Sequence, residues 1–200
     1  MNNTNTKVRL APEDEYTHTP DSADNYNESM YFNLFDPEQM VGGWFRIGNR
    51  PNEGYAEMTV CLYLPDGKVG FVFRRSKIAN NDKMDAGGLS IEVVEPFKEL
   101  CVRYNGTLLL LNNPNDMSEP STAFKNNPSV ECKIDLSYTG VSPMFGGEVV
   151  KEDGSSLDID PEKSFAKAHY EQHMAATGEI SVGDKTFTVS GFGLRDKSWG

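Results

Sequence analysis

The densest concentration of side chains able to do chemistry is the pentapeptide His169-Tyr170-Glu171-Gln172-His173. The run from His169 to Ile180 reads as a strand. On a strand, His169, Glu171 and His173 share one face, while Tyr170, Gln172 and Met174 share the other. Neighbours two apart are roughly 7 Å apart, close enough to share a ligand or a proton. The outer histidines are roughly twice that apart, too far to share one metal ion without a bend. On a helix His169 and His173 would stand four apart and could chelate. The order is not the H-E-x-x-H of zinc peptidases and supplies no third ligand, so no metal is expected. Two readings stay open: a polar stripe on a solvated strand face, or a lumen-facing acid/base group.

The second concentration is the terminal run Gly191-Phe192-Gly193-Leu194-Arg195-Asp196-Lys197-Ser198-Trp199-Gly200. It lacks the third glycine and the following helix of a dinucleotide loop. Gly191 and Gly193 instead permit close approach of another backbone or a ligand. Arg195 and Asp196 point to opposite faces if the strand continues, so one of them is buried and needs a partner. This is either an ion pair with Trp199 as an anchor, or a polar group placed at a cavity.

Other chemistries find no support. Ser142 and Ser198 lack a G-x-S-x-G setting. Cys61, Cys101 and Cys132 form no C-x-x-C pair and each sits in an apolar run, which predicts buried free thiols. The acidic stretch with Glu152, Asp153, Asp158 and Asp160 lacks the spacing of a calcium loop. No cofactor is expected.

The elements that must position these residues are strands. Val41 to Asn49 and Tyr55 to Leu64 are rich in β formers, and Pro65-Asp66-Gly67-Lys68 turns the second into Val69-Gly70-Phe71-Val72-Phe73. Val69, Phe71 and Phe73 share a face there. Leu89 to Glu95 reads as a strand. Leu100 to Tyr104, Asn105-Gly106 and Thr107 to Leu111 read as a second hairpin. From Val130 to Tyr138 the alternation is regular: Val130, Cys132, Ile134, Leu136 and Tyr138 on one side, Glu131, Lys133, Asp135 and Ser137 on the other. His169 to Ile180, Gly183-Asp184 and Lys185 to Phe192 make a third hairpin. Helix is confined to short turns, at Asp36–Met40 and at Pro161–Lys167 with Asp160 as cap. Residues 112–128 and 140–160 read as loops. The fold class is therefore all-β: an antiparallel barrel or a two-layer sandwich with very little helix. Trp44, Phe71, Phe73 and Tyr138 are expected to point inward, filling the sheet's interior or lining a ligand cavity.

Composition sets the outer limits. The chain has 200 residues, enough to bury a core without staples. Residues 1–30 are polar and poor in aliphatics, which predicts a flexible tail or a loosely docked arm ahead of a domain over 31–200. Nineteen basic against 30 acidic residues give a net charge of −11, which repels phosphate and argues against nucleic acid as a partner. No apolar run has the length of a membrane span or a signal peptide. Together with free cysteines this predicts a soluble protein of the cytoplasm.

The segment FAKAHYEQHMAATGEI, the ending GFGLRDKSWG and the upstream Gly42-Gly43-Trp44 together resemble the AttH-like, lipocalin-like family that includes carotenoid 1,2-hydratase (hydroxyneurosporene synthase). The resemblance covers about residues 30 to 200, and its most specific piece is R-D-x-S-W-G. Lys197 occupies the x position, where the family often has His, so no role of that His carries over. The resemblance implies two lipocalin-like barrels in tandem, of which this chain is the first lobe. A second lobe, or another chain, would then meet its C-terminal end. It also implies greasy polyene or terpenoid substrates and hydration, isomerisation or cyclisation. Arg195, Asp196 and Trp199 map onto the motif; His169, Tyr170 and Glu171 map onto its upstream partner.

Two functions follow as expectations. In the first, an apolar barrel cavity holds an isoprenoid, polyene or steroid-like molecule against Arg195, Trp199, Tyr170, Trp44, Phe71 and Phe73, with Asp196, Glu171 and His169 as the acid/base residues. A carboxyl group in an apolar pocket is raised in pKa and suited to donate. In the second, the chain is a non-catalytic structural or ligand-binding lobe whose partner lobe carries the activity.

Overall fold

The computed structural model describes residues 6–155, 157 and 166–200. The strands are β1 (Thr6–Arg9), β2 (Glu28–Asp36), β3 (Val41–Arg50), β4 (Tyr55–Tyr63), β5 (Val69–Lys77), β6 (Met84–Ala86), β7 (Leu89–Glu95), β8 (Glu99–Leu111), β9 (Ser129–Gly140), β10 (Phe145–Lys151), β11 (Ala168–Val182) and β12 (Lys185–Trp199). One short helix, α1 (Pro120–Asn126), lies between β8 and β9. No helix among the described residues is long and apolar enough to cross a membrane.

All the strand pairings are antiparallel and belong to one sheet. The path β11-β12-β2-β3-β4-β5-β8 is closed by β9, which pairs with both β8 and β11. The sheet is therefore a barrel rather than an open sandwich. β10 and β1 extend it from the start of β11, at Ala168 to Glu171, and β7 and β6 extend it from the first half of β8. The turns are those the sequence predicts at Gly67 (φ 80°) and Gly183 (φ 60°), where only glycine adopts the backbone without strain.

The barrel interior is filled. Phe32, Phe45, Ile47, Met58, Leu100 and Tyr138 are buried there, with Phe32 edge-on to Tyr138 at 4.9 Å between ring centroids. β9 keeps its expected alternation, with Cys132, Ile134, Leu136 and Tyr138 inside.

The expected inward aromatics are otherwise corrected. Gly70 and Val72 are the β5 residues that face the core side, paired with Leu62 and Val60. Phe71 packs on the outside with Leu109, Leu111 and Ala123, and Phe73 is 48% exposed. Trp44 is half-buried on the outer face, 6.0 Å from Tyr31. Alternation says which residues share a face. It does not say which face is inside, and a parity error inverts all of them together.

The expected turn at Asn105-Gly106 is also corrected: β8 runs straight through it. Gly106 lies under the Tyr104 ring, where a Cβ would meet the phenol oxygen at 2.5 Å, and that hydroxyl donates to Thr107 O at 2.9 Å. Here β8 leaves β7 and goes on to join β5, so the glycine marks a change of partner rather than a reversal. Residues 112–128 contain α1, and 140–160 contain β10. The helical turn expected at Pro161–Lys167 falls mostly outside the described residues; Ala166 and Lys167 are not helical.

Residues 6–30, expected as a tail or loose arm, are docked. β1 pairs with β10, a 3-10 turn at Pro12–Glu15 enters one end of the barrel, and Tyr26 is buried. The arm is held mostly by charge and hydrogen bonds, with Leu10 packed against Ala168, Tyr170 and Trp199, which is why its polar composition reads as a tail.

Candidate functional site

The β11–β12 hairpin carries the residues of interest in a register where Glu171 faces Asp196 and Tyr170 faces Lys197. Strand alternation then sorts them to two sides of one barrel wall.

On the inner side, at the barrel end, Arg195 forks onto Glu15. Its Nη2 donates to Oε2 at 2.8 Å and its Nη1 to Oε1. Gln172 Oε1 accepts from Arg195 Nε and Nη2 at 3.2 and 3.0 Å. Tyr170 donates its hydroxyl to Glu15 at 2.7 Å, and its ring lies 4.7 Å from the guanidinium carbon. Lys197 donates to Glu28 at 2.7 Å and to the carbonyls of Asp14 and Tyr16 at 2.8 and 2.6 Å, which uses all of its protons. His18 stacks on Trp199 at 4.1 Å and bonds Glu28 through its ring at 2.8 Å.

Burial raises the Glu28 carboxyl, but His18 and Lys197 outweigh it and hold the group below its ordinary value. Burial pulls the Lys197 ammonium down, against the pull of Glu28. Burial and Glu15 push the Tyr170 phenol upward. The network is satisfied on every side, so it acts as a plug. Arg195, Tyr170 and Trp199, expected against a ligand, belong to this plug; the Arg195 side chain is 1% exposed.

The outer side is different. His169 Nε2 is hydrogen-bonded to Asp196 Oδ2 and lies 3.8 Å from Glu171 Oε1. One ligand atom from each of the three lies within 4.8 Å of the others. His173 is exposed, two positions further along, and is not one of the three. Glu171 and Asp196 line a groove of about 840 Å³ on the outer sheet face, together with Tyr31, Arg46, Leu194 and Ser198. The cross-strand register explains the company: Asp196 faces Tyr31 on β2, and Tyr31 faces Arg46 on β3. Asn25 and Asn27, just before β2, also line the groove.

This arrangement brings together all three residues expected to do acid/base chemistry. A histidine in reach of two carboxylates can take a proton from one and pass it to the other. The same three donors would also suit a divalent cation, with the third ligand coming from across the hairpin rather than from His173. Arg46 feels the charge of Asp196 and opposes a cation there. Of the expected ligand contacts, Trp44 lies on this outer face beside Tyr31, while Phe71 and Phe73 lie strands away on β5. Sequence reasoning missed Glu15, Glu28 and His18, which lie in the supposed tail. It also missed Arg46, whose outward position was legible from its place between buried Phe45 and Ile47.

The family model of a domain of unknown function, DUF7064, matches residues 11–200. No curated protein matches the chain. Among solved structures, the crystal structure of "a putative AttH" from Nitrosomonas europaea is similar, with a TM-score of 0.58 and 13% identity. The match covers 96% of this chain and 56% of that one, so this chain spans little more than half of its neighbour's length. At such identity the likeness is one of fold: the barrel is AttH-like.

Proposed function

The chain belongs to the DUF7064 family of domains of unknown function, and from that premise we propose that its outer groove binds a hydrophobic small molecule and moves a proton on it. The carrying observation is the hydrogen bond between His169 and Asp196, with Glu171 at 3.8 Å, at the edge of the groove. Asp196 or Glu171 delivers a proton to one carbon of the ligand. In an isomerisation the other carboxylate removes a proton elsewhere, and His169 returns it between the two. In a hydration, water adds its oxygen to the neighbouring carbon and its surplus proton goes back to the pair.

The resemblance to the carotenoid 1,2-hydratase family supports an isoprenoid, polyene or steroid-like ligand. The interior of the barrel is packed with side chains, so the groove replaces it as the place for that ligand. The buried free cysteines support a reducing, cytoplasmic setting.

The test begins with native mass spectrometry of the chain after incubation with a hydrophobic metabolite extract. A retained apolar ligand is expected. Its conversion should fall by about 10²–10⁴-fold in Asp196→Asn or Glu171→Gln, the usual worth of a positioned acid or base. Unchanged turnover in both variants rejects the reading.

A second reading is a lobe whose partner carries the activity. It is favoured by Phe145 and Phe192, 81% and 69% exposed on the outer face of β10 and β12, and by the length of the structural neighbour. A clean, ligand-free chain in the same experiment would favour it over the first.

A further inference from the structure

The electrostatics of the groove do not balance at Arg46. Its guanidinium packs against Gly48: a Cβ there would fall 2.8 Å from Nη2 and 2.9 Å from Nη1. The side chain is 31% exposed, and the carboxylate nearest to it, Glu57, stands at 3.9 Å, beyond hydrogen-bonding distance. Glu57 is instead bonded to Arg75 at 2.9 and 3.1 Å. Among the described residues the Arg46 guanidinium makes no hydrogen bond. Burial pulls it below its ordinary pKa, and the neighbouring positive charge of Arg50 pulls the same way. Asn27 Oδ1, buried and without a hydrogen-bond partner, would lie 3.0 Å from the same Cβ. A guanidinium half out of water with its donors unmet is costly unless an anion meets it.

We infer that Arg46 binds a carboxylate at the head of the groove's ligand, which makes that ligand a hydrophobic carboxylic acid. The planar fork fits a carboxylate with two parallel hydrogen bonds. A doubly charged phosphate is disfavoured, because Asp196 and Glu171 line the same groove. The apolar body runs along Leu194 and Val149, which also line it. The inference rests on the groove binding a hydrophobic molecule and is independent of proton transfer.

Retinoate and retinol share one polyene skeleton and differ in the head group, so titration calorimetry with the pair is the test. The wild-type chain should bind retinoate about tenfold or more tightly than retinol, a difference of about 1.4 kcal/mol or more. Arg46→Gln should erase that preference by lowering retinoate affinity about tenfold or more. Gly48→Ala should weaken it by displacing the guanidinium, with circular dichroism confirming the fold. Equal affinity of the wild type for both molecules, or a preference that survives Arg46→Gln, overturns the inference and leaves groove binding intact. Binding of neither overturns both.

Discussion

Glu15 and Arg195 are 180 residues apart in sequence and form an ion pair whose side chains are 0% and 1% exposed. Three further groups hold it, the first being the Phe97 amide, which donates to Glu15 at 2.8 Å. Tyr170 donates to Glu15, and Gln172 accepts from Arg195. Losing either charge strands the other in a place water does not reach. Arg195→Met should therefore destabilise the fold by about 3–5 kcal/mol. Urea unfolding checks this as a lower midpoint at similar slope. Adding Glu15→Leu should recover most of the loss, because both charges are then gone.

The second pair at this end predicts acid sensitivity. Glu28 titrates below its ordinary value of 4.5 in the folded chain. As pH falls, the unfolded chain takes up that proton first. The stability Glu28 contributes is whole above 4.5 and is lost as pH drops through the lower folded value. Lys197 has the same sign in a higher window: with its folded value below 10.5, the cost of burying its charge is relieved as pH rises from that folded value towards 10.5. Urea unfolding between pH 7 and pH 3 should show a shallower decline in Glu28→Gln than in the wild type, from a lower starting stability.

The cysteines should be silent while the chain is folded. Burial pushes the Cys132 thiol up to about 12 and raises Cys61 and Cys101 as well. Thiolate is the reactive form. A colorimetric thiol assay at pH 8 should find Cys132 unreactive in buffer and all three thiols in denaturant.

Gly193 should tolerate no side chain. A Cβ there would lie 1.9 Å from the carbonyl oxygen of Asn33, and the next amide, Leu194 N, donates to the Asn33 side chain on β2 at 2.8 Å. Gly193→Ala should cost about 1–3 kcal/mol through forced separation of β12 from β2. Thermal unfolding checks it, with a drop in Tm as the expected result.

What the sequence made legible was local. The alternation of β9, the turns at Gly67 and Gly183, and the opposed directions of Arg195 and Asp196 all follow from neighbours a few residues apart. The union of His169, Glu171 and Asp196 was legible as a set of candidates, but their contact depends on the cross-hairpin register. Which way Phe71 and Phe73 point depends on a parity that only the closed barrel sets. Asn105-Gly106 carries the dipeptide of a turn, yet β5, β7 and β9 hold the strand straight, so tertiary pairing overrides local preference. Glu15 was invisible because nothing near it in sequence announces a partner 180 residues away.

That distance also orders events in time. Synthesis proceeds at roughly 5–20 residues per second, so Glu15 is made roughly 10–40 s before Arg195. Through that interval the barrel end has no stopper and the charged arm has no socket. β12, the latest-made strand of the ring, both shuts it and brings Arg195 and Lys197 to the waiting arm. Nascent chains stalled before Arg195 should therefore be far easier for a protease to cut near Glu15 than released ones.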